Sequence, residues 1–143
     1  MYLIDTNIIS EARKGTRANR GVQRLFSRLR RERAPVFLSV VTVGELRRGV
    51  DLIRYRGDEA QAQRLESWLA GVLDGYADHI LAIDSDIAQV WGRLRVPHPA
   101  NALDKLIAAT ALVYDLTVVT RNSRHFTDSG VRILDPFDTG ASG

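Results

Sequence analysis

The feature that most constrains the fold is a regular alternation of short β-rich runs with longer helical patterns. Five runs rich in β-branched residues are separated by segments whose apolar residues recur at helical spacing. Strands that alternate with helices of ten or more residues predict a parallel sheet with helices on both faces. We therefore expect a three-layer α/β/α sandwich with a central parallel sheet, with strands at 2–5, 36–39, 80–83, 117–120 and 131–134 and helices around 22–29, 43–53, 65–72, 87–94 and 102–114.

Length and composition fit one globular domain. A chain of 143 residues with 45% hydrophobic residues is long enough for one core and too short for two domains of ordinary size. We predict a single domain over residues 1–138 and a flexible C-terminal tail over 139–143. No apolar run approaches the roughly 20 residues of a transmembrane helix, so we expect a cytoplasmic protein with no membrane partner.

Cysteine and histidine usage narrows the chemistry. The chain has no cysteine and three histidines. A disulfide framework, a thiolate zinc site and a cysteine nucleophile are therefore excluded, and a histidine-rich metal site is disfavoured.

The charge is distributed unevenly along the chain. Residues 13–33 hold nine basic residues against Glu32 alone, a local charge of +8 in a chain of +3. This asymmetry indicates a polyanionic partner for the basic segment and a cation site elsewhere. Apolar spacing over 22–29 predicts an amphipathic helix whose arginines, Arg24 and Arg28 among them, either bind RNA, contact a partner protein or carry solvated charge.

Three acids lie where an open α/β sheet places its functional sites, outside the carboxyl ends of the strands. Asp5 ends the first strand, Glu45 follows the second, and Asp104 lies near the start of the last helix. A polar cluster, Thr120-Arg121-Asn122-Ser123, closes the fourth strand.

Each acid also has a structural interpretation. Asp5 could cap a helix that begins at Thr6, and the segments 42–45 and 101–104 both have the spacing of a capping box. Glu45 could pair with Arg48. Small residues nevertheless follow Glu45 and Asp104 by one turn, at Gly49 and Ala108, and they leave room for a ligand.

Carboxylates that converge at the strand ends would repel one another unless a cation lay among them. Ligation by carboxylate oxygens, without cysteine and with little histidine, is what Mg²⁺ or Mn²⁺ prefers. Such an ion can lower the pKa of a bound water and neutralise a phosphodiester. An acidic site beside an arginine-rich helix therefore favours a nucleic-acid substrate.

Four segments carry a family resemblance that spans essentially the whole chain. Together these segments resemble a PIN domain. They are, in order, Leu3-Ile4-Asp5-Thr6-Asn7, the stretch 38–49 around Gly44-Glu45-Leu46, the helix starting Asp104-Lys105-Leu106 and the closing Val119-Thr120-Arg121-Asn122-Ser123-Arg124-His125-Phe126. More narrowly, they resemble the VapC-type toxins of bacterial toxin–antitoxin pairs.

The resemblance implies a Rossmann-like α/β/α fold and a Mg²⁺- or Mn²⁺-dependent endoribonuclease that acts as a toxin and is neutralised by a protein antitoxin. It further implies a homodimer that meets DNA only through the antitoxin. Asp5, Glu45 and Asp104 match the family's catalytic and metal-binding acids, and Thr6 matches a supporting position. Asn122 falls where many relatives carry a fourth acid, which leaves open whether one metal or two are held.

The remaining polar residues receive lesser roles. Thr120 belongs to the supporting cluster, and Arg121 is a candidate for phosphate contact. For His125, a local hydrogen bond competes with RNA contact.

Other functions fit less well. A haloacid dehalogenase phosphatase needs a second aspartate where this chain has Asn7, and the chain has neither the glycine-rich nucleotide loops nor a nucleophile elbow. The open alternative is a catalytically weak PIN-like interaction module that binds an antitoxin and contributes to DNA-bound repression.

Overall fold

A computed structural model describes residues 1–138 of the chain, and the predicted tail at 139–143 lies outside the described residues. All five predicted strands form, and they pair in parallel in the order β3-β2-β1-β4-β5. The strands are β1 (Tyr2–Ile4), β2 (Val36–Ser39), β3 (Ile80–Leu81), β4 (Thr117–Val119) and β5 (Ile133–Leu134).

Six α-helices connect these strands. They are α1 (Thr6–Ala12), α2 (Arg20–Glu32), α3 (Val40–Tyr55), α4 (Glu59–Gly75), α5 (Ser85–Leu94) and α6 (Ala102–Tyr114), with short 3-10 turns at Gly15–Arg17, Ala77–His79 and Ser123–Ser129. The five helices expected from apolar spacing are confirmed. The short α1 corresponds to the helix that Asp5 was considered able to cap.

The core lies in two layers on opposite faces of the sheet, as the prediction of an α/β/α sandwich requires. Ile4 and Val119 face one layer with residues of α1 to α4, whereas Leu3 and Val118 face the other with residues of α6. Neighbouring residues of one strand point to opposite faces, so each strand contributes to both layers. The three-layer fold is confirmed.

The register brings the strand ends to one edge. β1 lies in the middle of the sheet, with Leu3 opposite Phe37 of β2 and Val118 of β4. The residues that follow β1, β2 and β4 therefore emerge at neighbouring positions of the same edge.

Helix α2 is the amphipathic helix expected from the arginine-rich segment. Val22, Leu25 and Leu29 are buried, while its arginines are exposed. Its first turn touches the C-terminal segment so closely that a Cβ at Gly21 would lie 1.9 Å from the Pro136 carbonyl oxygen. Glycine is therefore required where α2 meets residues 136–138.

Within residues 1–138, no helix is both long and apolar enough to cross a membrane.

Candidate active site

Asp5 occupies the centre of the sheet edge and is almost fully buried, with 3% of its surface exposed. Its Oδ1 accepts a 2.8 Å hydrogen bond from the Thr6 backbone N–H, so it caps α1. Its Oδ2 accepts from the Thr120 hydroxyl at 2.8 Å and from the Asn7 amide at 3.3 Å. Asp5 is therefore a helix cap with a second oxygen held in a polar network.

That network joins the ends of β1 and β4. The Asn122 N–H donates to Thr120 Oγ1 at 3.0 Å, and the Arg121 N–H donates to Asn7 Oδ1 at 3.1 Å. The Thr120 hydroxyl therefore holds Oδ2 of Asp5 in place. Thr6 supports Asp5 through its backbone N–H.

The protonation equilibrium of Asp5 is shifted by its surroundings. Burial raises the pKa of its carboxyl above the usual 3.8, and the negative charge of Asp104 raises it further, although the hydrogen bonds from Thr120, Thr6 and Asn7 act in the opposite direction. The net rise means that the anion is less stable here than in water. A bound cation would reverse this penalty.

Asp104 lies in the first turn of α6, and its Oδ2 is 2.6 Å from Nδ1 of His125. The capping-box interpretation of 101–104 is wrong, because Asn101 adopts a left-handed conformation with φ of 57° and its side chain makes no capping hydrogen bond. Asp104 is instead turned into the site, where its charge acts on Asp5.

Glu45 lies on α3, and its structural alternatives are also wrong. Helix α3 begins directly after β2 with Ser39 as its N-cap, so residues 42–45 are inside the helix and form no capping box. Among residues 1–138, the half-buried Glu45 carboxylate makes no hydrogen bond or ion pair, with Arg48 or any other residue. Helix α3 packs against α1, which begins directly after Asp5, and against α6, which carries Asp104.

An oxygen-donor cation fits this set of side chains. The Thr42 hydroxyl is fully buried without a partner in the described part of the chain, and it lies one turn before the unpaired Glu45. No three histidine or acidic side chains within residues 1–138 come close enough together to hold a metal. Mg²⁺ needs only one or two protein carboxylates, since it keeps several waters and accepts substrate phosphate oxygens. Asp5 and Asp104 can provide that pair.

The basic residues predicted near the site have different surroundings. The exposed Arg121 stacks its guanidinium 4.3 Å from the centre of the Phe137 ring, beside the site. Arg24 pairs with Asp138 at 3.1 Å, and Arg28 lies 3.9 Å from Glu32. Both lie with Arg20 and Arg31 on one groove of α2 that has a volume of 770 Å³.

Two residues of the site were missed or undervalued from the sequence. Asn7 was given no role of its own in the site, yet it links Asp5 to the backbone of Arg121. Its position two residues after the acid, in the turn from strand to helix, was the available signal. The local hydrogen bond considered for His125 exists, and its partner is Asp104.

The all-parallel sandwich and the paired carboxylates define an α/β protein with an acidic site at its sheet edge. A family model of the PIN domain matches residues 2–129. Toxin FitB of Neisseria gonorrhoeae is 34% identical over 96% of this chain and 99% of its own. VapC ribonuclease Y4jK of Sinorhizobium fredii is 30% identical over the same shares.

A solved structure supports the same assignment. FitAB bound to an IR36 DNA fragment superposes with a TM-score of 0.84 and 30% identity, over 96% of each chain. The chain therefore belongs to the PIN-domain family. Within that family it is similar to the VapC-type toxins, as the sequence motifs indicated.

Proposed function

We propose that this protein is a metal-dependent endoribonuclease that cleaves RNA phosphodiesters with an activated water and acts as the toxin of a toxin–antitoxin pair. The observation that carries the proposal is the almost fully buried Asp5 carboxylate at the carboxyl edge of the sheet, which is held by Thr120, Asn7 and the Thr6 N–H and lies near enough to Asp104 for the two charges to interact. Similarity to FitB and to a VapC ribonuclease supports the same activity.

Asp5 and Asp104 would hold Mg²⁺ or Mn²⁺ directly, and Glu45 would complete the set through a bound water. The bound ion would lower the pKa of a water and neutralise the scissile phosphate. The chain's own network would orient these acids: Thr120, Asn7 and the Thr6 N–H fix Asp5, and His125 fixes Asp104. The neutral Asn122 adds no charge, which favours one tightly held metal.

The partner we propose is a protein antitoxin, because the solved structures that this chain resembles include FitAB bound to a DNA fragment and a toxin–antitoxin complex from Klebsiella pneumoniae. In that arrangement this chain would meet DNA only through the antitoxin. We also propose a homodimer. The protein would then be active only when the antitoxin is absent.

A cleavage assay tests the nuclease. The purified chain would be incubated with structured RNA in Mg²⁺, in Mn²⁺ and in chelator, beside Asp5→Asn and Asp104→Asn. The matched control is Asp74→Asn, which makes the same change on exposed α4. We expect cleavage only with metal, lost in both site variants and kept in the control. Cleavage that persists in chelator, or in folded Asp5→Asn, would overturn the nuclease and leave an interaction module.

We further propose that Arg24 and Arg28 contact the RNA backbone. They recur with Arg20 and Arg31 along one face of α2, which would follow a phosphate chain. Arg121, beside Asp5, would contact phosphate nearer the cleaved bond. Charge reversal of Arg24 and Arg28 should weaken RNA binding and leave metal affinity nearly unchanged. If RNA affinity is unchanged while antitoxin affinity falls, the α2 groove belongs to the antitoxin.

A further inference from the structure

A second basic surface lies on the opposite face of the sheet from α2. It is a cleft of 490 Å³ between the end of α5, the loop before α6 and the turn Ser123–Ser129, and we call it the α5–α6 cleft. Its volume falls within the about 300–1,000 Å³ of typical small-ligand sites. The charged and titratable residues that line it are Arg93, His98, Lys105, Arg124, His125 and Asp128.

The cleft adjoins Asp104, one of the proposed catalytic acids. His125 lines it and also bonds Asp104, and Lys105 follows Asp104 on α6. The Lys105 ammonium donates to the His98 carbonyl oxygen, which fastens the loop before α6 to the helix. One wall of the cleft is therefore built on the same turn of α6 that carries Asp104.

Two arginines in the cleft have free guanidinium groups. Within residues 1–138, the exposed side chains of Arg93 and Arg124 make no hydrogen bond or ion pair. Arg47, Arg54 and Arg132, by contrast, are all paired with carboxylates. Among the described residues, Asp128 is the one carboxylate that lines the cleft, and the three permanent cations Arg93, Lys105 and Arg124 outnumber it. Unpaired guanidinium forks match the geometry of phosphate oxygens.

We infer that the α5–α6 cleft binds the phosphate backbone of the RNA strand on one side of the cleaved bond, with Arg93 and Arg124 as its phosphate ligands. This inference rests on the proposed nuclease function and adds a second point of substrate attachment to it. RNA is favoured over a protein partner because His125 both bonds Asp104 and lines the cleft, so a strand held at Asp5 and Asp104 would have the cleft as the next basic surface beside it.

Binding of RNA without cleavage gives the direct test. In an Asp5→Asn background, the affinity for a short fluorescent single-stranded RNA of mixed sequence would be measured across a salt series for Arg93→Gln and Arg124→Gln. The matched control is Arg56→Gln, which removes the same charge from an exposed side chain at the far end of α3. Thermal unfolding would confirm that each variant folds. If one cleft variant does not fold, the other still tests the inference.

We expect each cleft variant to bind about tenfold more weakly, as for a lost hydrogen bond between charged groups. The slope of log affinity against log salt should fall by about 0.7 for each lost phosphate contact, and Arg56→Gln should change neither quantity. Parental affinity or an unchanged slope in both folded variants would overturn the inference. If that happens while the wild type cleaves RNA, only the cleft role fails; absence of cleavage by the wild type removes the nuclease itself.

Discussion

The Thr120 hydroxyl donates a 2.8 Å hydrogen bond to Oδ2 of Asp5, although 115 positions separate the two residues. Thr120 is fully buried, and its oxygen also accepts from the Asn122 N–H. One side chain therefore joins the ends of β1 and β4 and stabilises the charged form of Asp5.

Loss of the Thr120 hydroxyl should lower the free energy of unfolding by more than the small change in side-chain volume alone would. We expect Thr120→Val to lower the free energy of unfolding by about 1–3 kcal/mol, because the Asn122 N–H loses its acceptor and Asp5 loses a donor. Thr120→Ser should keep both hydrogen bonds and therefore most of the stability. The control is Thr110→Val, whose buried hydroxyl donates only to the Leu106 carbonyl within α6. Urea unfolding of the variants measures this, and an equal loss in the two valine variants would contradict it.

The raised pKa of Asp5 predicts a pH dependence of stability. Between the usual pKa of 3.8 and the higher folded value, the folded protein holds a proton that the unfolded chain has released. The wild type should therefore lose stability relative to Asp5→Asn as the pH rises through this interval, and the difference should stay constant above it. Unfolding in chelator across a pH series measures the difference. A difference that is independent of pH would show that the Asp5 carboxyl is not perturbed.

The sequence was sufficient for the layers of the fold and for the position of Asp5. Buried parallel strands such as 117–119 are apolar on both faces, and this pattern needs no tertiary information. Asp5 directly follows such a strand, and its place after β1 puts it at the carboxyl edge of the sheet. The start of α3 was harder to predict, because a helix that begins directly after a strand uses Ser39 as its cap and leaves 42–45 in its interior.

The hydrogen bond between His125 and Asp104 predicts a positioning role for the histidine. We expect His125→Ala to weaken Mn²⁺ binding by about tenfold, because groups that orient ligands contribute at this scale. His125→Asn should restore part of the affinity, since its amide can donate to Asp104 in place of Nδ1. Calorimetric titration with Mn²⁺ provides the measurement.

A purely structural histidine would give a different result. In that case His125→Ala would lower the unfolding temperature without a change in Mn²⁺ affinity, and His125→Asn would give no recovery of binding.

The contact between α2 and the C-terminal segment predicts intolerance at Gly21. Gly21→Ala would place its Cβ 1.9 Å from the Pro136 oxygen and 2.8 Å from the Asp138 nitrogen, both backbone atoms that cannot rotate away. We expect a loss of about 1–3 kcal/mol in unfolding free energy. Gly71→Ala in α4 meets nothing within 4 Å and should stabilise by about 0.4–1 kcal/mol. Equal stability of the two variants in urea would refute the close approach.

Long-range pairing explains what could not be predicted. Segment 123–129 has Phe126 as its single apolar residue, which is too little to predict where the segment packs. Nothing local in the sequence therefore indicates that burial of Phe126 beneath α6 brings His125 to Asp104. The α5–α6 cleft has the same origin, because its arginines are 31 positions apart in the printed sequence and meet only after α6 packs on α5.

The central position of β1 affects when a folding chain can become harmful. The strand that presents Asp5 must wait for β2 on one flank and for β4, more than a hundred positions later, on the other. Pairing across such a separation is slow and occurs late in folding. A chain interrupted before Thr120 would lack the hydroxyl that holds Asp5, so synthesis that stops early would release a fragment in which Oδ2 of Asp5 has lost this donor.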